Sequence, residues 1–294
     1  MKKKFRGSAC LLAATIIWGS AFVAQSVGMD YIGPFTFQAV RCALAVVGLL
    51  PVIWIADRRS RRPFFSGWRD KKIWLGGFLC ALPLFLAVNL QQVGLVSVDA
   101  GKSAFLTAMY IVIVPLIGIF RKQTPSPIIP ICVLLAVGGL YCLSCIGVQR
   151  LQIGDLCLIL CAFMFAVQIT LVDHFAPELD SLRLNLVQSL VCSLLSSVLM
   201  FLFETPSLHA ISLCAIPLGY TGFLSMGAAY SLQIVGQKEL EPSAASLIMS
   251  LESVFAVIFG AVLLRETMTA WETLGCVLVF LAVVLSQIPL PRKQ

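Results

Sequence analysis

Ten long apolar stretches, separated by short polar connections, constrain this chain more than any other feature of its sequence. Each stretch has about 20 residues, which as a helix is about 30 Å long and matches the apolar core of a bilayer. The 294 residues are 59% hydrophobic and only 12% charged, whereas soluble domains carry about a quarter charged residues. The sequence therefore predicts an all-α integral membrane protein with ten transmembrane helices.

The first stretch follows a basic N-terminus and continues to about Gln25. It is too long for the apolar region of a signal peptide, so we interpret it as an uncleaved first helix. Connections rich in Gly, Pro and charge separate it from nine further stretches, as expected at the exits from a bilayer. These are residues 34–56, 74–92, 101–120, 128–147, 154–172, 181–203, 213–235, 243–264 and 269–288.

Lys and Arg residues are distributed unequally between the two sides of this arrangement. With the N-terminus inside, 17 of the 21 fall on the inner side and three on the outer side, while Arg41 lies within the second stretch. Because basic residues are retained on the cytoplasmic side, the bias predicts a multi-pass protein of the cytoplasmic membrane with both termini cytoplasmic. The localised charge indicates contact with anionic lipid and no nucleic-acid partner.

The two halves of the chain resemble each other in a common register. Five stretches per half is an odd number, so the second half must enter the membrane from the opposite face. The sequence thus predicts two inverted five-helix repeats, residues 1–147 and 148–294. An offset of 142 aligns Leu90-Gln91 with Leu232-Gln233, Gly94 with Gly236, Asp99 with Glu241, Val112 with Val254 and Gly118 with Gly260, and an offset of 147 aligns Gly7 with Gly154 and Arg41 with Gln188.

Glu252 is the one full charge in the stretch 243–264 and lies near its middle. A carboxylate at that depth costs several kcal/mol unless it faces a partner or water. Its counterpart under the offset of 142 is Tyr110, and each lies nine residues from the start of its stretch, which places both near mid-depth. Glu252 could bind a solute or a coupling proton there, or it could be a protonated structural residue that hydrogen-bonds neighbouring helices.

Arg41 is about 10 Å from the outer end of the second predicted helix. It could snorkel to the interface, pair with Glu252, or hold a substrate carboxylate with its planar fork. Asn89, Gln168 and Tyr230 are also polar within apolar stretches, and they could hydrogen-bond either a solute or another helix. Trp18 and Tyr110 lie too deep for the interfacial aromatic belt, so they pack around a cavity or against a neighbouring helix.

The cysteines and histidines do not form a recognisable metal or redox site. The cysteine count is eleven, an odd number, and all lie within or at the ends of apolar stretches, as packing residues do. Cys142 and Cys145 form one C-x-x-C without a second pair or a nearby His. The two histidines, His174 and His209, lie at the ends of stretches. We therefore expect no metal and no cofactor.

These features together resemble the EamA family of the drug/metabolite transporter superfamily over essentially the whole chain. The resemblance implies a carrier whose central cavity is lined by helices from both halves, often an exporter of amino acids or other small metabolites. The family commonly has Pro after the Glu of the ninth helix, whereas this chain has Ser253, so a kink caused by that Pro does not carry over. The residues that carry the resemblance are Trp18-Gly19-Ser20, Arg41, Gln91 to Gly94 with Ala100-Gly101, Leu251-Glu252, and Gly260 to Arg265-Glu266.

The leading hypothesis for function is a secondary transporter that moves a small metabolite by alternating access, with protons as one candidate coupling ion. No Walker-type loop and no soluble domain are present in the sequence, which argues against ATP drive. A membrane-embedded enzyme is an alternative, but the sequence lacks H-E-x-x-H and G-x-S-x-G motifs. A receptor or scaffold is a further alternative, although neither requires an inverted repeat.

Overall fold

A computed structural model describes residues 2–61, 63, 66–122, 126–144, 152–264 and 269–286, and every regular element in these ranges is helical. Several features named above lie outside the described residues: Cys145, the boundary between residues 147 and 148, Arg265, Glu266 and the end of the last stretch. Four of the basic residues counted above also lie outside them: Arg62, Arg150, Arg292 and Lys293.

Helices occupy all ten of the predicted apolar stretches. They are α1 (Lys2–Gly28), α2 (Pro34–Arg59), α3 (Lys71–Gly94), α4 (Ala100–Ala108), α5 (Tyr110–Phe120), α6 (Ile129–Ser144), α7 (Ile153–Phe175), α8 (Ser181–Phe203), α9 (Leu208–Leu213), α10 (Ala215–Gly219), α11 (Tyr230–Gln237), α12 (Pro242–Met249), α13 (Leu251–Leu264) and α14 (Ala270–Ser286), with a 3-10 turn at Ser66–Trp68 and a π-helix at Tyr220–Ala229.

Seven helical stretches in the described ranges are long and apolar enough to cross a bilayer. This confirms an all-helical protein with several membrane spans, although the predicted count of ten is three higher. The difference has a structural basis: α6 and α14 have 16 and 17 residues, and the eighth predicted stretch is divided among α9, α10, the π-helix and α11. The seven are Lys3–Gly28, Pro34–Arg59, Lys71–Gly94, Ala100–Phe120, Ile153–Phe175, Ser181–Phe203 and Pro242–Leu263.

Two of the long stretches are interrupted near their middles. The interruption between α4 and α5 is at Met109, whose N–H bonds to Leu106 O at 3.3 Å, and the one between α12 and α13 is at Ser250, whose carbonyl accepts from Ser253 N at 3.1 Å. Both contacts span three residues, so the helix tightens locally as a 3-10 turn does. The ninth predicted helix therefore breaks even though Ser253 replaces the family's Pro.

The π-helix Tyr220–Ala229 is the other irregular element, and α8 compensates for it. A π-helical turn displaces backbone carbonyls from their usual partners. The Asn185 side-chain amide of α8 donates to Met226 O at 2.9 Å and to Gly227 O at 2.8 Å. These contacts satisfy buried acceptors that would otherwise destabilise the segment.

The helices form one bundle with two ends. The N-terminal end contains the start of α1 and the end of α2, and the opposite end contains the end of α1 and the start of α2. Helix α2 packs against α8, α1 against α13, α3 against both α7 and α8, and α6 against α14. The main apolar core lies where α3, α4, α5, α6, α7, α12, α13 and α14 meet.

Gly19 permits the close packing of α1 against α13. A Cβ atom at this position would lie 2.8 Å from the backbone carbon of Phe255 and 2.9 Å from Ala256 N. We expect Gly19→Ala to destabilise the protein by about 1–3 kcal/mol, because α1 and α13 must move apart. Gly138→Ala is the matched control, since a Cβ there meets nothing within 4 Å. Thermal unfolding in detergent should show a lower midpoint for the first variant only; equal midpoints would contradict this packing.

Candidate functional site

A polar cavity lies at the centre of the bundle. The space that atoms leave free there, including the part open to solvent, is about 430 Å³. All of the residues that line it are buried except Trp18, which is partly exposed. The lining residues are Trp18, Phe22, Gln25, Arg41, Gln91, Tyr110, Phe165, Ile169, Ser225, Tyr230, Gln233, Met249 and Glu252.

Glu252 and Tyr110 meet in this cavity. The Tyr110 hydroxyl donates to Glu252 Oε1 at 3.0 Å, and both residues are buried. Tyr110 follows the interruption at Met109, and Glu252 follows the one at Ser250. The two interrupted helices thus bring positions that the predicted repeat relates into direct contact. Within the described ranges, Tyr110 is the hydrogen-bond donor to this buried carboxyl group, and the group can also serve a proton or a solute.

Arg41 contributes a cation to the same cavity. Its side chain is 1% exposed, so it does not snorkel to the surface in this structure. Its Nη1 donates to Gln25 Oε1, whereas its buried Nε has no partner among the described residues. Arg41 and Glu252 form no ion pair within the described part of the chain. The cavity thus contains a buried guanidinium whose Nε is available to an acceptor, as far as the described residues go.

Two aromatic side chains form another wall of the cavity. The rings of Trp18 and Tyr230 are 5.0 Å apart with an interplanar angle of 63°, an edge-to-face arrangement that stabilises aromatic pairs. The Trp18 Nε1 is buried without a hydrogen-bond partner in the described structure. Together with Arg41 Nε, it gives the cavity two donors that a bound acceptor can satisfy.

Five of the seven residues predicted as site residues line the cavity: Trp18, Arg41, Tyr110, Tyr230 and Glu252. The other two lie outside it. Asn89 Nδ2 instead joins α3 to α8 by donating to Ser196 Oγ at 2.9 Å. Gln168 does not line the cavity but contacts a residue that does: its Oε1 accepts a hydrogen bond from Gln233 Nε2 at 3.1 Å.

Three amides of the lining were not among the predicted site residues: Gln25, Gln91 and Gln233. For Gln25, the helical spacing from other lining residues indicates a position facing the cavity. Trp18, Phe22 and Gln25 are four and three residues apart, so they share one face of α1. Gln91 and Gln233 are related by the offset of 142, and this pairing marks them as candidates for a shared cavity.

Most of the cavity wall consists of residues related by the predicted repeat. Four pairs contribute both members to the lining. Five lining residues have no counterpart in the wall: Gln25, Arg41, Ser225, Tyr230 and Met249. The pairs are Trp18 with Phe165 and Phe22 with Ile169 at an offset of 147, and Gln91 with Gln233 and Tyr110 with Glu252 at an offset of 142.

The cavity combines a guanidinium, a carboxyl group, amides and aromatic rings. This set can hold a small amphipathic solute by hydrogen bonds and by stacking. A bundle of membrane-length apolar helices around such a cavity is characteristic of a membrane transporter.

Comparison with known proteins specifies this class further. The pattern of the EamA-like transporter family matches residues 5–145 and again residues 152–287. The second match begins 147 positions after the first and ends 142 positions after it, the same two offsets that relate the cavity pairs. The chain belongs to the EamA-like transporter family and is a membrane protein.

Relatives of similar length support this assignment. An uncharacterized transporter of Archaeoglobus fulgidus is 31% identical over 281 residues, which cover 94% of this chain and 83% of the relative. The uncharacterized transporter YoaV of Bacillus subtilis is 22% identical over 97% of each chain. A protein of known crystal structure shares the fold, with a TM-score of 0.77, 16% identity and coverage of 96% of this chain and 97% of that one.

Proposed function

We propose that this protein is a secondary transporter that moves a small metabolite, an amino acid or a related amphipathic solute, across the cytoplasmic membrane by alternating access. Export is the expected direction. The observation that carries the proposal is the buried polar cavity at the centre of the bundle, which is lined mainly by residues that the predicted repeat relates. A site on the axis between two inverted halves can open to either face by similar motions of the two halves.

The proposal includes ten transmembrane helices in two inverted halves, residues 1–147 and 148–294. The packing of the described helices supports it, because contacts come in repeat-related sets. The contact of α1 with α13 corresponds to that of α7 with α5, and the contact of α3 with α8 corresponds to that of the π-helix with α2. The contacts of α2 with α8 and of α6 with α14 each correspond to themselves, as expected for pairs that straddle a two-fold axis.

Arg41 and Glu252 have complementary roles in the proposed cycle. Arg41 Nε and Trp18 Nε1 are the donors for a solute carboxylate, since neither has a protein partner in the described structure. Glu252 receives either a solute ammonium or a proton, and Tyr110 orients it. Tyr230 supplies a flat apolar surface beside Trp18. Proton and solute then compete for one carboxyl group, and this competition is a means of coupling their movements.

Purified protein in liposomes tests the proposal. The liposomes are loaded with a panel of amino acids and related metabolites, and release is followed with and without a pH gradient. We expect at least one solute to leave faster than from protein-free liposomes, and to do so faster still with the gradient. If no member of the panel moves faster than in the protein-free control, the proposed transport of this solute class is wrong.

The proposed orientation places both termini in the cytoplasm, as the distribution of Lys and Arg predicts. A reporter fused to the C-terminus should behave as cytoplasmic, and one fused after Gly147 should behave as external, because five helices separate Gly147 from the N-terminus. An untruncated chain with the reporter at the N-terminus is the control. A cytoplasmic signal after Gly147 would contradict the division into two five-helix halves.

A further inference from the structure

The cavity extends along the bundle between two groups of residues with different chemistry. Gln25 lies three residues before the end of α1 and Arg41 seven residues after the start of α2, so both are on the side of the opposite end. Gln233 lies four residues before the end of α11. That end of α11 is near the N-terminal end of the bundle, because a Cβ atom on Gly7 would lie 3.0 Å from Gly236 O. A solute that binds Arg41 by its carboxylate therefore extends towards Gln233.

The side-chain amide of Gln233 is held in one orientation by its neighbours. Gln237 Nε2 donates to the backbone carbonyl of Ile169 at 3.0 Å, so Gln237 Oε1 is the atom that faces Gln233. Gln233 Nε2 donates to that oxygen at 2.9 Å and to Gln168 Oε1 at 3.1 Å. A side-chain amide has two N–H donors, and both are used here. The polar atom that remains is Gln233 Oε1, which is buried without a partner in the described structure.

A buried carbonyl oxygen without a partner is not a binding site on that ground alone. Gln38 has the same arrangement: its Nε2 donates to Val88 O at 2.8 Å and to Gln92 Oε1 at 3.0 Å, and its Oε1 has no partner among the described residues. Gln38 does not line the cavity, whereas Gln233 does. The position in the cavity wall thus distinguishes Gln233, and Gln38 is its matched control.

The repeat counterpart of Gln233 lacks the two amide anchors. This counterpart is Gln91, which also lines the cavity. The position that corresponds to Gln168 at an offset of 147 is Ala21, and the one that corresponds to Gln237 at an offset of 142 is Leu95. Neither side chain has an amide group. The anchored amide is therefore a feature of one end of the cavity only.

The unpaired atoms define the chemical group that suits this end of the cavity. A buried acceptor without a partner costs free energy, which a donor on the solute recovers. Gln168 Nε2 is also buried without a partner in the part of the chain that the structure describes, so the hydrogen-bonded pair of Gln168 and Gln233 lacks one donor and one acceptor. Both are neutral amides, so a charged group would gain no ion pair from them. A primary carboxamide is neutral and supplies both a donor and an acceptor.

We propose that Gln233 determines the specificity of the cavity by selecting solutes with a neutral carboxamide at the end distant from their carboxylate. Gln168 and Gln237 are positioning residues, because they hold the Gln233 amide with its oxygen available. The inference rests on the proposed function, in which Arg41 and Trp18 receive the solute carboxylate. It narrows the solute class to amino acids with an amide side chain and to compounds of the same pattern.

Pairs of isosteric probes isolate this hydrogen bond. Glutamine carries the carboxamide, whereas its methyl ketone isostere has CH₃ in place of NH₂, so the ketone lacks the donor and keeps the carbonyl group. Asparagine and its own methyl ketone isostere test a shorter side chain. Each solute is added to purified protein in detergent, and the rise of the thermal unfolding midpoint with solute concentration gives the Kd. The ratio of the Kd values within a pair is the readout, because a general loosening of the fold weakens both members equally.

We expect the wild type to bind at least one of the two amino acids about fivefold more tightly than its isostere, as one neutral hydrogen bond allows. Gln233→Met should bring the ratio to within about twofold of one, because a thioether is a weak acceptor. Gln168→Leu should lower the ratio part of the way, since the Gln233 amide then loses one of its two anchors. Gln38→Leu should keep the wild-type ratio, although it also removes a buried amide.

The inference is overturned if the wild type binds neither amino acid more tightly than its isostere, or if Gln233→Met keeps the wild-type ratio. If Gln233→Met does not yield folded protein, the wild-type ratio and Gln168→Leu decide, and an unchanged ratio in Gln168→Leu then overturns the inference. Binding in detergent needs neither a membrane nor a gradient, so the two proposals fail separately. Selective binding without transport of any solute would remove the proposed function alone, whereas transport without selective binding would remove the proposed specificity alone.

Discussion

Glu252→Gln should abolish gradient-driven accumulation of solute and leave a protein that still folds and inserts. The amide keeps the shape of the side chain and can still accept the hydrogen bond from Tyr110, but it cannot bind and release a proton. Exchange of solute across the membrane needs no net proton cycle, so it can survive. Transport by wild type and variant in liposomes, measured from about pH 5.5 to 8, is the decisive comparison.

Two matched variants make this result specific to Glu252. Glu204→Gln changes the same residue type at the opposite end of the bundle, where the carboxylate caps α2, and it should keep the wild-type pH profile. Tyr110→Phe removes the donor and keeps the ring, so it should shift the pH profile and preserve accumulation. If Glu252→Gln and wild type show the same rates and the same pH profile, Glu252 is a structural hydrogen-bonding residue.

Arg41→Lys should reduce transport about tenfold or more while the amount of folded protein in the membrane is unchanged. Lys keeps the positive charge and can reach Gln25, but it has no Nε donor and no planar fork for a carboxylate. Transport should decrease for solutes that carry a carboxylate. For these solutes, the variant should lose more in affinity than in maximal transport rate. Initial rates at several solute concentrations measure both quantities.

Arg58→Lys is the control on the same helix. Arg58 lies at the N-terminal end of the bundle with its guanidinium 3.7 Å from the centre of the Trp54 ring, outside the cavity lining. This variant should transport at the wild-type rate, within about twofold. Unchanged kinetics in Arg41→Lys as well would show that the Arg41 cation only supports the packing of α1 and α2 through Gln25.

The sequence placed Tyr110 and Glu252 at equivalent positions, because depth and repeat register are properties of the chain alone. Counting residues from the helix ends placed Tyr110 and Glu252 at the same depth, and the offset of 142 related them. The structure adds that they share a hydrogen bond of 3.0 Å. The helix positions were likewise predictable, since ten apolar stretches leave few alternatives in a bilayer.

Other features depend on interactions between distant segments and were not predictable. Asn89 and Gln168 are polar residues within apolar helices, as Tyr230 is, but neighbouring helices turn them to Ser196 and Gln233 rather than into the cavity. The π-helix has no local sequence signal, and Asn185 of another helix satisfies its carbonyls. The interruption at Ser250 arises without the Pro that usually marks it.

The residues of the cavity wall that have no repeat-related counterpart would distinguish the two orientations in which a solute could bind. A site composed of matched pairs alone would accept a solute in two equivalent poses, related by half a turn. Arg41 and Tyr230 have no counterpart in the wall, and Glu252 faces its partner Tyr110 with a different chemistry. A dipolar solute therefore has one preferred pose, and its mirror image meets the same groups in the wrong order. The departure from symmetry is what would let a two-fold scaffold discriminate between enantiomers.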